Sequence, residues 1–136
     1  MILYFRIGGH CIAACGTCQG GLSLGTFGLP SIRLEAGSFD ESEYHLDGPG
    51  AIRHLEAVAS IPAISVIQWQ PGFKDMARDW TDLYRRIDEL GKGAYLFTGP
   101  GQLRQLWRAN RNRILCCELR VASRREADAA LAEFGL

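Results

Sequence analysis

Polar side chains with catalytic or ligand-binding chemistry follow two short β-prone stretches of the chain. His45 and Asp47 end the first stretch, in YHLDGPG, and Gln68 and Gln70 end the second, in ISVIQWQPG. Each pair is two residues apart, so both of its members point to the same side of a strand. An imidazole next to a carboxylate can bind a metal ion, transfer a proton or hold a polar ligand. Two amides suit hydrogen bonds to the carboxylate or carbonyl groups of a substrate.

A purely structural role is the alternative for each of these residues. Asp47 could cap a helix that begins near Gly50, since a carboxylate there accepts backbone N–H bonds, and His45 could be a core histidine with satisfied hydrogen bonds. The two glutamines could bind loop backbone groups while Trp69, between them, packs in the core. His54 falls among the arginine and glutamate residues of a predicted helix, and we expect it to face solvent.

Cysteines offer a second kind of chemistry. Cys116 and Cys117 end the last predicted strand, where a thiolate could join His45 as a zinc ligand. Neighbouring strand residues point to opposite faces, so at most one of the two thiols can lie on the side of His45. Inert buried thiols are the alternative that the residues alone favour.

Three more cysteines lie close together near the N-terminus. Cys11, Cys15 and Cys18 form a C-x3-C-x2-C motif, a spacing used to hold an iron–sulfur cluster that binds S-adenosylmethionine. Thr17 occupies a position that is usually aromatic in such motifs, so a zinc clip or chance spacing competes with the cluster. The odd total of five cysteines, in these two groups, is a poor disulfide framework.

Composition restricts the classes of function. The chain has 136 residues, which fits one domain around a single core. Its 15 basic and 15 acidic residues cancel, so we expect no binding to nucleic acid or to an anionic membrane. No apolar run approaches the roughly 20 residues that cross a bilayer, and the first residues do not follow the order of a secretory signal. We therefore expect a cytoplasmic protein that acts on a small molecule.

The elements that position these residues follow a βαβα pattern from about residue 40 onward. Strands are predicted at 44–46, 64–69, 94–97 and 113–119, and helices at 51–60, 80–90, 102–110 and 123–134. Ser123 and Glu126 have the spacing of a capping box at the start of the last helix. Four right-handed βα units follow from this pattern, preceded by a possible strand at 2–7 and a helix at 29–39.

Residues 29 to 134 resemble the C-terminal portion of the uroporphyrinogen decarboxylase superfamily. The similar stretches are LPSIRLEAGSFDESEYHLDGPGAIRHLE, IPAISVIQWQPG, WTDLYRRIDELGKG and ILCCELRVASRREADAALAEF, within about three quarters of the chain. The superfamily contains the decarboxylases themselves, corrinoid-dependent methyltransferases and decarboxylase-like proteins. The resemblance implies an α/β fold in which residues 29–136 form parallel βα units of a TIM (β/α)8 barrel, about half of one. Residues 1–28 are then a separate Gly- and Cys-rich segment without a counterpart.

The resemblance also implies an active site at the carboxyl ends of the strands, where the histidine, aspartate and glutamines described above fall. In the methyltransferase branch, a His-x-Cys pair and a later cysteine hold zinc, which activates a thiol to accept a methyl group from a corrinoid protein. His45 matches that histidine, Asp47 stands in place of the first cysteine, and Cys117 or Cys116 is the expected late ligand. The decarboxylase branch holds its porphyrinogen with arginines and an aspartate from a half of the barrel that has no counterpart here.

Three functions follow as expectations. The first is a metal-assisted methyltransferase or lyase of this superfamily, with His45 and Asp47 as catalytic or metal-binding residues and Gln68, Trp69 and Gln70 as substrate-binding residues. The second is a truncated barrel without catalysis, which folds as an oligomer of this chain or with a complementary barrel half and at most binds a ligand. The third is an iron–sulfur protein that uses the three N-terminal cysteines.

Overall fold

The computed structural model describes residues 10–13, 24–110 and 115–134, in which strands and helices alternate. The strands are β1 (His10–Ala13), β2 (Ser42–Asp47), β3 (Ile64–Gln70), β4 (Gly93–Thr98) and β5 (Leu115–Leu119). The helices are α1 (Leu29–Ala36), α2 (Leu55–Ala59), α3 (Thr81–Glu89), α4 (Pro100–Ala109) and α5 (Arg124–Glu133). The strand expected at 2–7 and the cysteines Cys15 and Cys18 lie outside the described residues.

Short helical turns connect several of these elements. A π-helical turn, Leu24–Gly28, precedes α1, and 3-10 helices follow β2 at Pro49–His54 and β3 at Phe73–Asp75. The helix predicted at 51–60 is therefore divided, since its first part is a 3-10 helix and only α2 is α-helical. The helices in the described ranges all lack the length and apolar character of a bilayer-spanning segment.

All five strands form one parallel sheet in the order β1-β2-β3-β4-β5. Each strand pairs with the next strand of the chain, and a helix lies in each connection. Crossovers between neighbouring parallel strands are almost always right-handed, which places successive helices on the same face of the sheet. The prediction of an α/β fold built from parallel βα units is confirmed. In addition, β1 connects part of the N-terminal segment to the same sheet, so the sheet extends across the predicted boundary at residue 28.

One face of the sheet packs against the helices. Alternate strand residues point into this layer and are buried, namely Tyr44, Leu46, Ile67, Trp69, Ala94 and Leu96. They meet apolar residues of the helices, namely Ile32, Val58, Leu83, Ile87 and Leu106. A smaller cluster of Leu103, Leu119 and Ala130 joins β5 to α4 and α5. Because side chains alternate along a strand, the residues between the buried ones lie on the opposite face, which we call the distal face.

An irregularity at the start of β3 determines which of its residues reach the distal face. The register with β2 shifts by one residue there, so β3 carries one extra residue. A bulge of this kind changes the alternation of side chains along the strand. Ile64 and Ile67 are both buried for this reason although they are three residues apart. Beyond the bulge, Gln68 pairs in register with His45.

The last helix begins as the capping-box spacing predicts. The backbone N–H of Glu126 donates to the hydroxyl of Ser123 at 3.3 Å. The carboxylate of Glu126 accepts a hydrogen bond from the N–H of Ala122 at 2.8 Å. Two backbone N–H groups at the start of α5 thereby gain partners.

At the other end of the chain, α1 ends at Ala36, before the predicted end at residue 39.

Candidate ligand-binding site on the distal face

The distal face carries a mixture of polar, acidic and aromatic side chains. By strand alternation, its described members are Glu43, His45, Asp47, Val66, Gln68, Gln70, Tyr95, Phe97, Cys116 and Glu118. His45 pairs in register with Gln68, and Asp47 pairs with Gln70. The sheet therefore brings together the two polar pairs that the sequence places on separate strands. They lie at the carboxyl ends of β2 and β3, the edge at which parallel α/β proteins bind their ligands.

His45 and Gln68 are in direct contact. The Nδ1 atom of His45 forms a hydrogen bond with Oε1 of Gln68. An amide oxygen only accepts hydrogen bonds, so Nδ1 is the donor in this contact, and Nε2 carries the lone pair when the ring is neutral. Both residues are half-buried, which limits competition from water. Gln68 therefore orients the imidazole and leaves Nε2 as the atom that can accept a proton or bind a metal ion.

β2 and β3 are each followed by a glycine, and the two glycines have nearly the same backbone conformation. Gly48 follows β2 with φ 76° and ψ 154°. Gly72 follows β3 after one residue, with φ 79° and ψ 161°. This region of backbone conformation is essentially restricted to glycine. The N–H of Gly48 donates to the carbonyl of Gln70 at 2.8 Å, which connects the end of β2 to the end of β3.

Two aromatic residues that the sequence patterns do not identify extend the site onto β4. Tyr95 pairs in register with Gln68, and Phe97 lies two residues nearer the carboxyl end. Their ring centroids are 5.6 Å apart and their planes make an angle of 41°. Phe97 is exposed, although it lies in a strand with neighbours on both sides. The alternation of core and non-core residues in GAYLFT is the signal that could have identified the pair.

The structure separates the two adjacent cysteines. Cys116 shares the distal face with His45, whereas Cys117 points toward the helices and packs against both hydrophobic clusters. The structure therefore does not bring Cys117 together with its predicted partners His45 and Asp47. Burial raises the pKa of both thiols, and the carboxylate of Glu43 raises that of Cys116 further. A thiol with a raised pKa stays protonated at neutral pH in the absence of a metal ion.

Trp69 lies on the other side of the sheet from the glutamines that flank it. Its side chain is 1% exposed. Its ring meets that of Trp80 in a T-shaped arrangement with 4.9 Å between centroids. Strand alternation causes this placement, because the two glutamines occupy the distal face. The structure thus packs Trp69 in the hydrophobic core, as in the structural alternative, and away from the other predicted substrate-binding residues.

Metal ligands do not converge in the described part of the chain. No three His, Cys, Asp or Glu side chains in these ranges form a group that could hold a metal ion. Of the two adjacent cysteines, Cys117 lies on the helix side and so cannot join His45 in a metal site. The described residues alone do not fit the predicted zinc site, and zinc stays a prediction from the resemblance. The iron–sulfur prediction depends on Cys15 and Cys18, which lie outside these ranges.

A groove of about 510 Å³ lies on the helix side, between the 3-10 helix after β2 and the start of α3. Its apolar lining includes Ile52 and Trp80. Arginines at the groove are already engaged, since Arg78 lies 4.6 Å from the centroid of the Trp80 ring. Arg86 likewise donates to Glu56 at 2.5 Å. None of the predicted site residues lines this groove, so the distal face is the candidate site.

Other polar contacts near the sheet have a structural role. Lys92 donates to the carbonyls of Ile61 at 3.0 Å and Ile64 at 2.5 Å, and burial lowers the pKa of Lys92. This contact lies at the amino end of β3, where parallel barrels place stabilising residues.

His54 accepts a hydrogen bond from Arg53 at 3.1 Å. Burial and the charge of Arg53 lower the pKa of His54, whose contact with Arg53 lies at the surface.

Comparisons with known proteins gave no match. No protein-family model, curated protein or solved structure matches this chain. The functional interpretation therefore depends on the residues and the geometry described above.

Proposed function

We propose that this chain is a barrel-type α/β unit of the uroporphyrinogen decarboxylase superfamily that transfers a methyl group at the carboxyl ends of its strands. The consecutive parallel sheet supports the barrel, because TIM barrels consist of successive βα units with their active sites at this edge. The sequence resemblance supports the class of reaction. The observation that carries the proposal is the contact between His45 and Gln68, which orients a histidine base near Asp47.

His45 acts as the base in the proposed reaction. A thiol acceptor gives its proton to Nε2 of His45, while Nδ1–H stays hydrogen bonded to Gln68. The resulting thiolate attacks the methyl carbon of the donor and forms an S–C bond, and the electron pair of the broken bond stays with the donor. Asp47 lies on the same face, two residues further along β2, and is the second polar residue of the proposed site. Gln70, beside Asp47 in the register, binds the polar part of the acceptor.

The proposal includes a partner and an assembly. The corrinoid protein as the methyl donor comes from the resemblance, and the cytoplasmic location comes from the composition and the order of the first residues. A second copy of the chain or a complementary set of βα units would extend the sheet. Within the described ranges β5 pairs with β4 alone, and an unpaired edge carries N–H and C=O groups that favour pairing with another chain. Light scattering measures the mass of the assembly, and a monomer would exclude pairing between copies.

Methyl transfer from methylcobalamin to mercaptoethanol tests the proposed reaction. The loss of methylcobalamin absorbance gives the rate, and mass spectrometry identifies the S-methyl product. A general base contributes about 10²–10⁴-fold, so His45→Ala should lower the rate by about 100-fold or more. His54→Ala is the matched control, because His54 lies in the following 3-10 helix and outside the strands. Equal rates in the two variants, or no transfer by the unaltered protein, would refute the proposal.

A ligand-binding protein without catalysis is the second candidate. Two observations favour it: Cys117 lies on the helix side, away from His45, and no three metal-ligating side chains of the described residues come together. This candidate binds a small molecule at the distal face and transfers no methyl group. Ligand binding that His45→Ala weakens, together with no turnover by the unaltered protein, would identify it.

A further inference from the structure

Glu118 on β5 is a largely buried acidic residue without a partner in the described part of the chain. The residue is 7% exposed. It pairs in register with Phe97, so its side chain lies on the distal face. Among the described residues, it takes part in no ion pair and no hydrogen bond. A carboxylate in a largely buried position is stabilised by a positively charged or hydrogen-bonding partner, which offsets its partial desolvation.

The strands of the distal face supply no positive charge for this role. From β2 to β5 they contain Glu43, Asp47 and Glu118 but no lysine and no arginine. Arg120, which follows β5, is exposed and takes part in none of the ion pairs of the described residues. The face is therefore an electrostatic environment that favours a cation.

Aromatic rings lie next to Glu118. Phe97 is its neighbour in register, and the strands of a sheet are about 4.8 Å apart. Phe97 in turn packs against Tyr95 on the same face. A cation is attracted to the face of an aromatic ring, and the attraction increases when water is excluded. A carboxylate beside two aromatic rings is a combination that suits an organic ammonium group.

We infer that the ligand of the distal face carries a positively charged organic group, an ammonium or quaternary ammonium, bound between Glu118 and the pair of Tyr95 and Phe97. The inference rests on the proposed function because it takes the distal face as the ligand site, and it adds the chemical class of the ligand. The cationic group binds over β4 and β5, and the reacting part of the ligand extends toward His45. The same carboxylates repel polycarboxylate ligands, which separates this site from one built for an anionic substrate.

Choline and its uncharged carbon analogue dimethylbutanol test the inference, because the two probes differ in charge and hardly in shape. In isothermal titration calorimetry, the unaltered protein should bind choline at least about tenfold more tightly than the alcohol. Glu118→Gln should weaken choline binding by about thirtyfold or more, since it removes one partner of a buried charge pair, and should leave binding of the alcohol unchanged. Phe97→Leu should weaken choline binding severalfold while keeping an apolar side chain. Asp82→Asn, which alters an exposed carboxylate on α3, is the matched control and should bind choline normally.

Equal affinity of the unaltered protein for choline and the alcohol overturns the inference, and so does unchanged choline binding by Glu118→Gln. Circular dichroism identifies any variant that does not fold. If Glu118→Gln is such a variant, the two probes on the unaltered protein and on Phe97→Leu decide the question. Methyl transfer that depends on His45, without preference for choline, refutes this inference alone. Choline binding without methyl transfer refutes the proposed reaction and supports the cationic site.

Discussion

Replacement of Gly48 by alanine should destabilise the fold through backbone strain alone. Gly48 has φ 76° and ψ 154°, a conformation essentially restricted to glycine. A Cβ atom at this position would meet no atom within 4 Å apart from those of the two adjacent residues, so a clash with the rest of the fold adds nothing to the cost. A residue other than glycine that is held in this region lowers the stability of the fold by about 1–3 kcal/mol. For a chain of 136 residues, each kcal/mol lowers the melting temperature by about 3.5 °C, so Gly48→Ala should lower it by roughly 4–10 °C.

Gly50→Ala is the matched control for this substitution. Gly50 lies in the following 3-10 helix, a Cβ atom there also meets nothing within 4 Å, and its φ is not positive. Alanine at such a position stabilises by up to about 1 kcal/mol, because it restricts the unfolded chain. Urea unfolding followed by circular dichroism measures both variants, and an unchanged denaturant slope indicates that the difference lies in stability. Equal stability of the two variants would show that the turn after β2 does not require glycine.

Core packing, helix capping and a buried phenol can be tested in the same assay or by titration. Ile67 is 0% exposed, so Ile67→Ala should lower the free energy of unfolding by about 2–5 kcal/mol. Leu34 is 78% exposed, so Leu34→Ala should change it by no more than about 0.5 kcal/mol. Similar losses of stability in the two variants would contradict the assigned core. Ser123→Ala should lower the free energy of unfolding by about 1 kcal/mol, because it removes the side-chain oxygen that caps α5. Ser123→Asp should lower it much less, because the aspartate carboxylate can accept the same hydrogen bond. Burial raises the pKa of Tyr84 to about 12, so one phenol should ionise late in an absorbance titration, and Tyr84→Phe should remove that step. Because the unfolded chain loses this proton at about pH 10, the free energy of unfolding should fall as the pH rises from about 10 to 12, and a flat profile would contradict the burial of the phenol.

The repeating βα units can be predicted from the sequence because the period of apolar residues reports which face of each element is buried. The ranges of β3, α3 and α5 agree with the periodicity to within one or two residues. Sequence patterns do not identify β1, whose four residues HCIA show no clear alternation. Its pairing with β2 joins segments about 30 residues apart, and local propensity carries little information on such contacts.

The candidate site is predictable in part. Spacing predicts that His45 and Asp47 share one face of a strand, and the structure agrees. The contact between His45 and Gln68 depends on the register of two strands, and the bulge in β3 that sets this register has no local signature. Which of two adjacent cysteines faces the site depends on how β5 packs against α4 and α5. Glu118 is not identified by sequence patterns, because a single glutamate in a strand becomes informative only when its burial and neighbours are known.

The position of the proton on the His45 ring provides the simplest check of the proposed site. If Gln68 accepts a hydrogen bond from Nδ1, the lone pair lies on Nε2, where the proposed base acts. Nitrogen NMR of protein labelled at histidine distinguishes the two tautomers at alkaline pH, where the ring is uncharged, and His45→Ala assigns the signal. We expect the proton on Nδ1, and we expect Gln68→Leu to remove this preference. A proton on Nε2 in the unaltered protein would refute both the orienting role of Gln68 and the role of His45 as a base at that atom.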